Sequence, residues 1–197
     1  KRELRYGIIG AGSMGREHIE NIKVMGGAAV TAISDPHTPS QEAALAMAPG
    51  AKVFTDHRAL LESGLVDAVV IATPNDTHAA VLKDALETDL AVFVEKPLAT
   101  TVEDLKSILS WDDKRSAMTW MGLEYRFMPP VAEAIARATE GEAGKIHQVS
   151  IREHREPFYP KVDNWNRFAE RTGGTLVEKC CHYFNLMDIV IGEQPVR

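Results

Sequence analysis

Residues 7–15 read Gly7-Ile8-Ile9-Gly10-Ala11-Gly12-Ser13-Met14-Gly15, an apolar run that ends among glycines and opens onto a helical pattern. Gly10, Gly12 and Gly15 fit the spacing G-x-G-x-x-G. In that pattern the first glycine allows a tight turn, the second lets a pyrophosphate approach the backbone, and the third lets a helix pack closely on a sheet. The N–H groups around Ser13 and Met14 would face the phosphates at the positive end of the helix dipole. The motif alone is weak evidence, because a glycine-rich turn can exist without a ligand. Its setting strengthens it. Asp35 follows Gly15 by about 20 residues and ends the second candidate strand, where an acidic residue would accept hydrogen bonds from the adenosine ribose. Asp35 would also repel a 2′-phosphate, and Pro36 stands where an arginine would welcome one. NAD is therefore expected over NADP, with His37, Thr38 and Ser40 able to soften the choice.

Outward from this loop, short β-branched runs alternate with helical patterns as far as residue 122. Candidate strands are Tyr6–Gly10, Val30–Ser34, Lys52–Phe54, Ala68–Thr73, Ala91–Glu95 and Ala117–Met121. Several are continuous apolar runs, as expected of parallel strands buried on both faces. Asp76 and Thr101 are N-cap types before the helical stretches Thr77–Glu87 and Val102–Leu109, and Pro39 suits a first turn before Gln41–Met47. The order predicts a doubly wound α/β sheet, a dinucleotide-binding domain over residues 1–122.

Residues 123–197 read as a second, partial substrate or oligomerisation domain. A helix is expected over Val131–Thr139 and a strand over Lys145–Glu153, the latter from its alternation of His147, Val149 and Ile151 with Gln148, Ser150 and Arg152. Arg155 to Gly174 shows no periodicity but gathers Phe158, Tyr159, Trp165 and Phe168, which suggests a packed functional loop or a partner contact. Leu176–Ile191 reads as one apolar helix on which Glu178, His182 and Asn185 fall at i, i+4 and i+7, in a single stripe. That stripe faces either solvent or a site. An isolated strand and helix would not offset their ordering entropy, so the sequence is expected to stop partway through this domain and the natural chain to continue past Arg197.

Composition excludes several classes. With 22 Lys+Arg against 28 Asp+Glu, the net charge of −6 gives no electrostatic case for nucleic acid. No uncharged apolar stretch approaches the roughly 18–20 residues that span a bilayer, and Lys1–Arg5 runs into glycines rather than an apolar leader core, so neither membrane nor signal peptide is expected. Cys180 and Cys181 are neighbours and an unlikely staple, which points to a reducing, cytoplasmic setting. No metal site is expected, since the cysteine pair beside Glu178 and His182 lacks C-x-x-C spacing.

The strand ends complete the picture. Strand four runs into Thr73-Pro74-Asn75-Asp76-Thr77-His78 and strand five into Glu95-Lys96-Pro97. Both should fall at the carboxyl edge of the sheet, where ligands bind. The expected cofactor-binding set is therefore Gly10, Gly12, Ser13, Met14, Gly15, Asp35, Thr73, Pro74, Asn75, His78, Glu95 and Lys96.

Taken together, the stretches GIIGAGSMGREH, ATPNDTHAAV, EKPLATT, EYRFMP and GGTLVEKCCHYFNLMDIVIG resemble, in order, the Gfo/Idh/MocA oxidoreductases, the group that includes glucose–fructose oxidoreductase and inositol dehydrogenases. The resemblance implies a Rossmann domain followed by an α+β domain on an open mixed sheet, and a homo-oligomer acting on a sugar or polyol. It makes Lys96 the catalytic lysine and His182 the catalytic histidine, with Glu178 where many members carry Asp. In the implied chemistry a hydride passes between nicotinamide and a carbinol carbon. His182 takes the hydroxyl proton with a pKa near working pH, Glu178 orients or stabilises its ring, and Lys96 stabilises alkoxide charge. Arg126, Trp165, Arg167 and Asn185 are candidates for the substrate pocket. Two other readings stay open: a non-catalytic nucleotide-binding regulator, and NAD-dependent redox-elimination or C=N/C=C reduction on the same fold.

Overall fold

The computed structural model describes residues 2–193; the last four residues of the expected second domain lie outside the described residues. Six strands form one sheet: β1 (Leu4–Ile9), β2 (Ala28–Ser34), β3 (Lys52–Phe54), β4 (Ala68–Ile71), β5 (Ala91–Glu95) and β6 (Thr119–Gly122). Their order is β3-β2-β1-β4-β5-β6, and every neighbouring pair is parallel. The chain reverses its direction of travel across the sheet between β1 and β4, and at that switch point the strand ends diverge to leave a crevice.

The apolar runs explain the layers. Ile8 and Val70 pack on one face with Ile33 and with Ile19, Ile22 and Ala44, which come from helices α1 (Ser13–Met25) and α2 (Thr38–Met47). Ile9, Val69 and Ile71 alternate with them and pack on the other face. There Leu60, Leu82 and Ile108 come from α3 (His57–Leu61), α4 (His78–Leu86) and α5 (Val102–Asp112). A period-two pattern buried on both sides reads as a continuous apolar run, which is why strands this short were visible in the sequence. Thr101 caps α5 as expected, its hydroxyl accepting the Asp104 N–H at 3.1 Å. Asp76 caps nothing. A 3-10 turn over Asn75–Thr77 precedes α4, and Asp76 instead ion-pairs with Arg171 at 2.9 Å.

The second half departs further from expectation. Helix α6 (Pro129–Thr139) forms, but Lys145–Glu153 pairs with no strand among the described residues, and without a ladder its alternation makes no sheet. The aperiodic loop contains a 3-10 segment, Val162–Arg167, kinked at Asp163 and Asn164, and then α7 (Ala169–Thr172). The single helix expected over Leu176–Ile191 is two, α8 (Thr175–Glu178) and α9 (Cys181–Ile191). At the break the Thr175 carbonyl accepts N–H groups from both Lys179 and Cys180, at 3.0 and 3.1 Å, so the ladder slips by one residue. A slip of one residue turns α9 by roughly 100° against α8. Glu178 therefore leaves the stripe that the spacing implies, while His182 and Asn185 stay at i, i+3 on α9.

Candidate active site

A cleft of about 1090 Å³ opens at the carboxyl ends of β1, β2, β4 and β5. That is at the upper end of what small-molecule sites span. The glycine loop forms its floor. Gly10 has φ +93°, and a Cβ there would lie 2.6 Å from the Ala72 carbonyl group; a Cβ on Gly15 would lie 1.9 Å from Gly10 O. Packing therefore requires both glycines. Gly12 is different. Its φ of −66° is ordinary, a Cβ would meet nothing within 4 Å, and it lines the cleft with Ser13 and Met14. Neither strain nor packing asks for glycine at that position, whereas close approach of a phosphate would. The loop thus fits a dinucleotide.

Asp35 holds that loop. Its Oδ2 accepts the Ala11 N–H at 2.7 Å and its Oδ1 the His37 N–H at 2.8 Å, which fixes the carboxylate at the rim of the cleft with lone pairs to spare. Thr73, Pro74, Asn75, Glu95 and Lys96 line the cleft as expected. Glu95 is paired beneath it, its Oε1 2.7 Å from His18 Nε2, and the His18 ring meets Phe93 edge-on. Two members of the expected set lie elsewhere. Gly15 packs under the loop. His78 is fully buried, with Nδ1 2.7 Å from Pro97 O and Nε2 3.0 Å from Thr73 O. It staples the two strand-end loops together rather than facing a ligand, and burial pushes its pKa down.

The second half of the chain closes the other side. Asn75 donates to Thr172 O at 3.3 Å, and with the Asp76–Arg171 pair this ties α7 to the turn after β4. Glu178, Lys179 and His182 then enter the same cleft as Lys96. Lys96 Nζ donates to the backbone carbonyl of Glu178 at 3.2 Å. The Glu178 carboxylate forms no ion pair with the His182 ring among the described residues. The carboxylate beside that ring is Glu124, with Oε1 3.6 Å from His182 Nε2; the helix break accounts for the exchange. The His182 ring is 2% exposed and stacks on Tyr125, centroids 4.0 Å apart and planes within 10°. Its Nδ1 is buried without a hydrogen-bond partner among the described residues.

Burial, then the ammonium groups of Lys96 and Lys179, push the His182 pKa down to about 4. The expectation of a value near working pH is therefore corrected: the ring is neutral at pH 7. Burial raises the carboxyl pKa values of Glu124 and Glu178.

Lys179 is the principal residue that the sequence reading missed. It is 7% exposed, donates to the Tyr125 hydroxyl, and ion-pairs with Glu153 at 3.0 Å. Tyr183 donates to the same Glu153 carboxylate. The stretch EYRFMP carries Glu124 and Tyr125 beside Arg126, the one residue of that stretch among the expected pocket residues. Among the proposed pocket residues Trp165 lines the cleft, and Arg126, Arg167 and Asn185 do not. Arg126 lies over Phe127, and Arg167 donates to Phe158 O. Among the described residues no cluster of three or more His, Cys, Asp or Glu could hold a metal ion, and no helix is long and apolar enough to cross a membrane.

Residues 4–123 match the family described as oxidoreductase family, NAD-binding Rossmann fold, and residues 136–197 match its C-terminal alpha/beta domain. Inositol 2-dehydrogenase of Rhizobium meliloti is 31% identical over 193 residues, which cover 98% of this chain and 56% of that protein. The crystal structure of myo-inositol dehydrogenase from Lactobacillus casei in complex with NAD(H) and myo-inositol matches with a TM-score of 0.67 and 34% identity, over 70% of this chain and 42% of that one. Levoglucosan dehydrogenase in complex with NADH and levoglucosan, at 24% identity, shares the fold with a TM-score of 0.82, over 96% of this chain and 54% of its own. The chain spans about half the length of the curated relatives it matches.

Proposed function

The chain belongs to the Gfo/Idh/MocA oxidoreductase family, and from that premise we propose that it transfers a hydride between a nicotinamide dinucleotide, NAD before NADP, and a carbinol carbon of a sugar, cyclitol or related polyol. The observation that carries this reading is the meeting of the Gly12–Met14 turn, Asp35, Lys96 and His182 in one cleft. The dinucleotide, when bound, supplies the hydride acceptor or donor. Gly12, Ser13 and Met14 hold its pyrophosphate, Asp35 its ribose, and Thr73 to Asn75 the adjoining wall.

The protein's own contribution is positioning and proton handling. Lys96 has three N–H donors and gives one to Glu178 O, so two remain for the substrate oxygen, where they stabilise alkoxide charge. The neutral His182 ring, which lines the cleft beside Glu124, takes the hydroxyl proton. A ring held at about 4 is a weak base, and it works because Lys96 makes the substrate hydroxyl more acidic at the same moment. Glu124 takes the orienting part that the sequence reading gave to Glu178.

Residues 1–122 serve as the dinucleotide half and 123–197 as part of the substrate half. The same reading carries self-association and a cytoplasmic setting, in which the thiols of Cys180 and Cys181 stay reduced. Incubating the protein at its natural length, with its substrate domain complete, with NAD and a panel of cyclitols and aldoses, and following NADH absorbance, tests it. Tight NAD binding with no NADH formed on any polyol would refute the dehydrogenase reading.

A further inference from the structure

One cation in the cleft stands in surroundings that suit an anion better than itself. Lys161, in the loop before α7, reaches across to the first residue of α1 and donates to Ser13 Oγ at 2.6 Å. Its partner is a neutral hydroxyl, and none of the ion pairs among the described residues includes it. Lys161 sits at the amino end of a 13-residue helix, where unpaired N–H groups already concentrate positive charge. Burial and then the nearby Lys96 ammonium push its pKa down, against weaker opposition from Glu178, Glu95 and Glu17. A half-buried ammonium beside a second ammonium and a positive helix end is costly unless an anion joins them. Gly12 leaves its backbone open to the same space.

We propose that Lys161 is a pyrophosphate-binding residue that the second half of the chain supplies to the dinucleotide site. Its ammonium would meet the phosphates seated on the Gly12–Met14 turn, from the same stretch that lines the cleft with Phe158, Tyr159 and Trp165. The inference rests on the dinucleotide reading above and adds to it a phosphate contact from outside the glycine loop. The G-x-G-x-x-G loop then supplies only part of the phosphate site.

The test uses ADP-ribose, which carries the pyrophosphate without the nicotinamide, and adenosine, which carries neither phosphate. Calorimetric titration of the full chain is compared for the wild type, Lys161→Met and Lys161→Arg, with circular dichroism confirming that each variant is folded. Loss of a charge-assisted contact should weaken ADP-ribose binding to Lys161→Met by roughly tenfold or more. Lys161→Arg should largely restore it, and adenosine affinity should not change. A folded Lys161→Met that binds ADP-ribose as the wild type does overturns the inference while leaving the dinucleotide reading intact, and so does one that loses only substrate affinity. A wild type that fails to bind ADP-ribose overturns both.

Discussion

Placing one methyl group at each of two glycines should separate folding from cofactor binding. At Gly15 the new Cβ would lie 1.9 Å from Gly10 O and 3.0 Å from Gly10 C, both backbone atoms, so the loop or the helix must move. Overpacking of this kind costs typically ~1–3 kcal/mol, against a gain of ~1 kcal/mol from the better helix propensity of alanine. With a backbone clash this short, the upper end applies, and Gly15→Ala should lose about 2 kcal/mol. In a chain of this length that lowers Tm by roughly 4–8 °C. At Gly12 the backbone is already extended and the Cβ meets nothing within 4 Å. The weaker N-cap and the stiffer unfolded chain oppose each other, each worth under about 1 kcal/mol, so stability should hardly change. The Gly12 methyl would instead stand where the pyrophosphate approaches, and NAD affinity should fall at least tenfold. Urea unfolding and calorimetric titration of both variants decide the matter. A Gly12→Ala protein that binds NAD as tightly as the wild type would refute the assignment of this turn. A Gly15→Ala protein with an unchanged urea midpoint would refute the packing argument.

Other consequences can be measured in the same preparations. Asp35→Ala should shrink the preference for NAD over NADP by roughly tenfold, the worth of one like-charge repulsion at the rim; titration showing that the wild type prefers NADP would contradict the role of this carboxylate. Lys96→Ala and His182→Ala should each lower turnover by about a hundredfold or more, with NAD affinity nearly intact, and variants that stay active would place the chemistry elsewhere. The His182 ring is protonated below about 4 in the folded protein but below about 6.5 when unfolded. The unfolded state therefore binds more protons between those values, and stability must fall as the pH drops through that window. His182→Gln should flatten the fall of Tm between pH 6.5 and 4; parallel Tm profiles for the two proteins would show that the folded ring titrates normally.

The sheet was legible because its physics is local. Parallel strands covered on both faces must be apolar at successive positions, so Ile8 and Ile9, or Val69 and Val70, show themselves without any partner being known. The strand-end residues followed from topology: once the order is doubly wound, the residues after β4 and β5 fall on the edge that holds the glycine loop. The segment Lys145–Glu153 failed the same kind of test because alternation is only half of a strand, and a ladder needs a neighbour that local pattern cannot supply.

The helix-borne part of the site was misread for a different reason. Helical spacing places Glu178 and His182 on one face only if every hydrogen bond between them keeps register, and periodicity carries no sign of the slip at the Thr175 carbonyl. That slip does more than exchange one carboxylate for another. It turns Lys179 inward, where Glu153 and the Tyr125 hydroxyl receive it, and so places a second ammonium near His182. A lysine beside an apolar helix is by default a solvated group, and only these contacts across the fold make it otherwise. The neutral state of His182 is thus held by burial first, then by Lys96, which the motif revealed, and by Lys179, which it concealed. The two can be told apart. Both groups meet Tyr125, with Lys179 Nζ 4.4 Å and the His182 ring centroid 4.0 Å from the Tyr125 ring centroid. The two charges are therefore within about 8 Å, worth ~2 kcal/mol at an effective dielectric of about 20, less whatever Glu153 offsets. Lys179→Met should accordingly raise the His182 titration by about one pH unit, read from the ring carbon resonances. No movement would mean that burial and Lys96 alone set it.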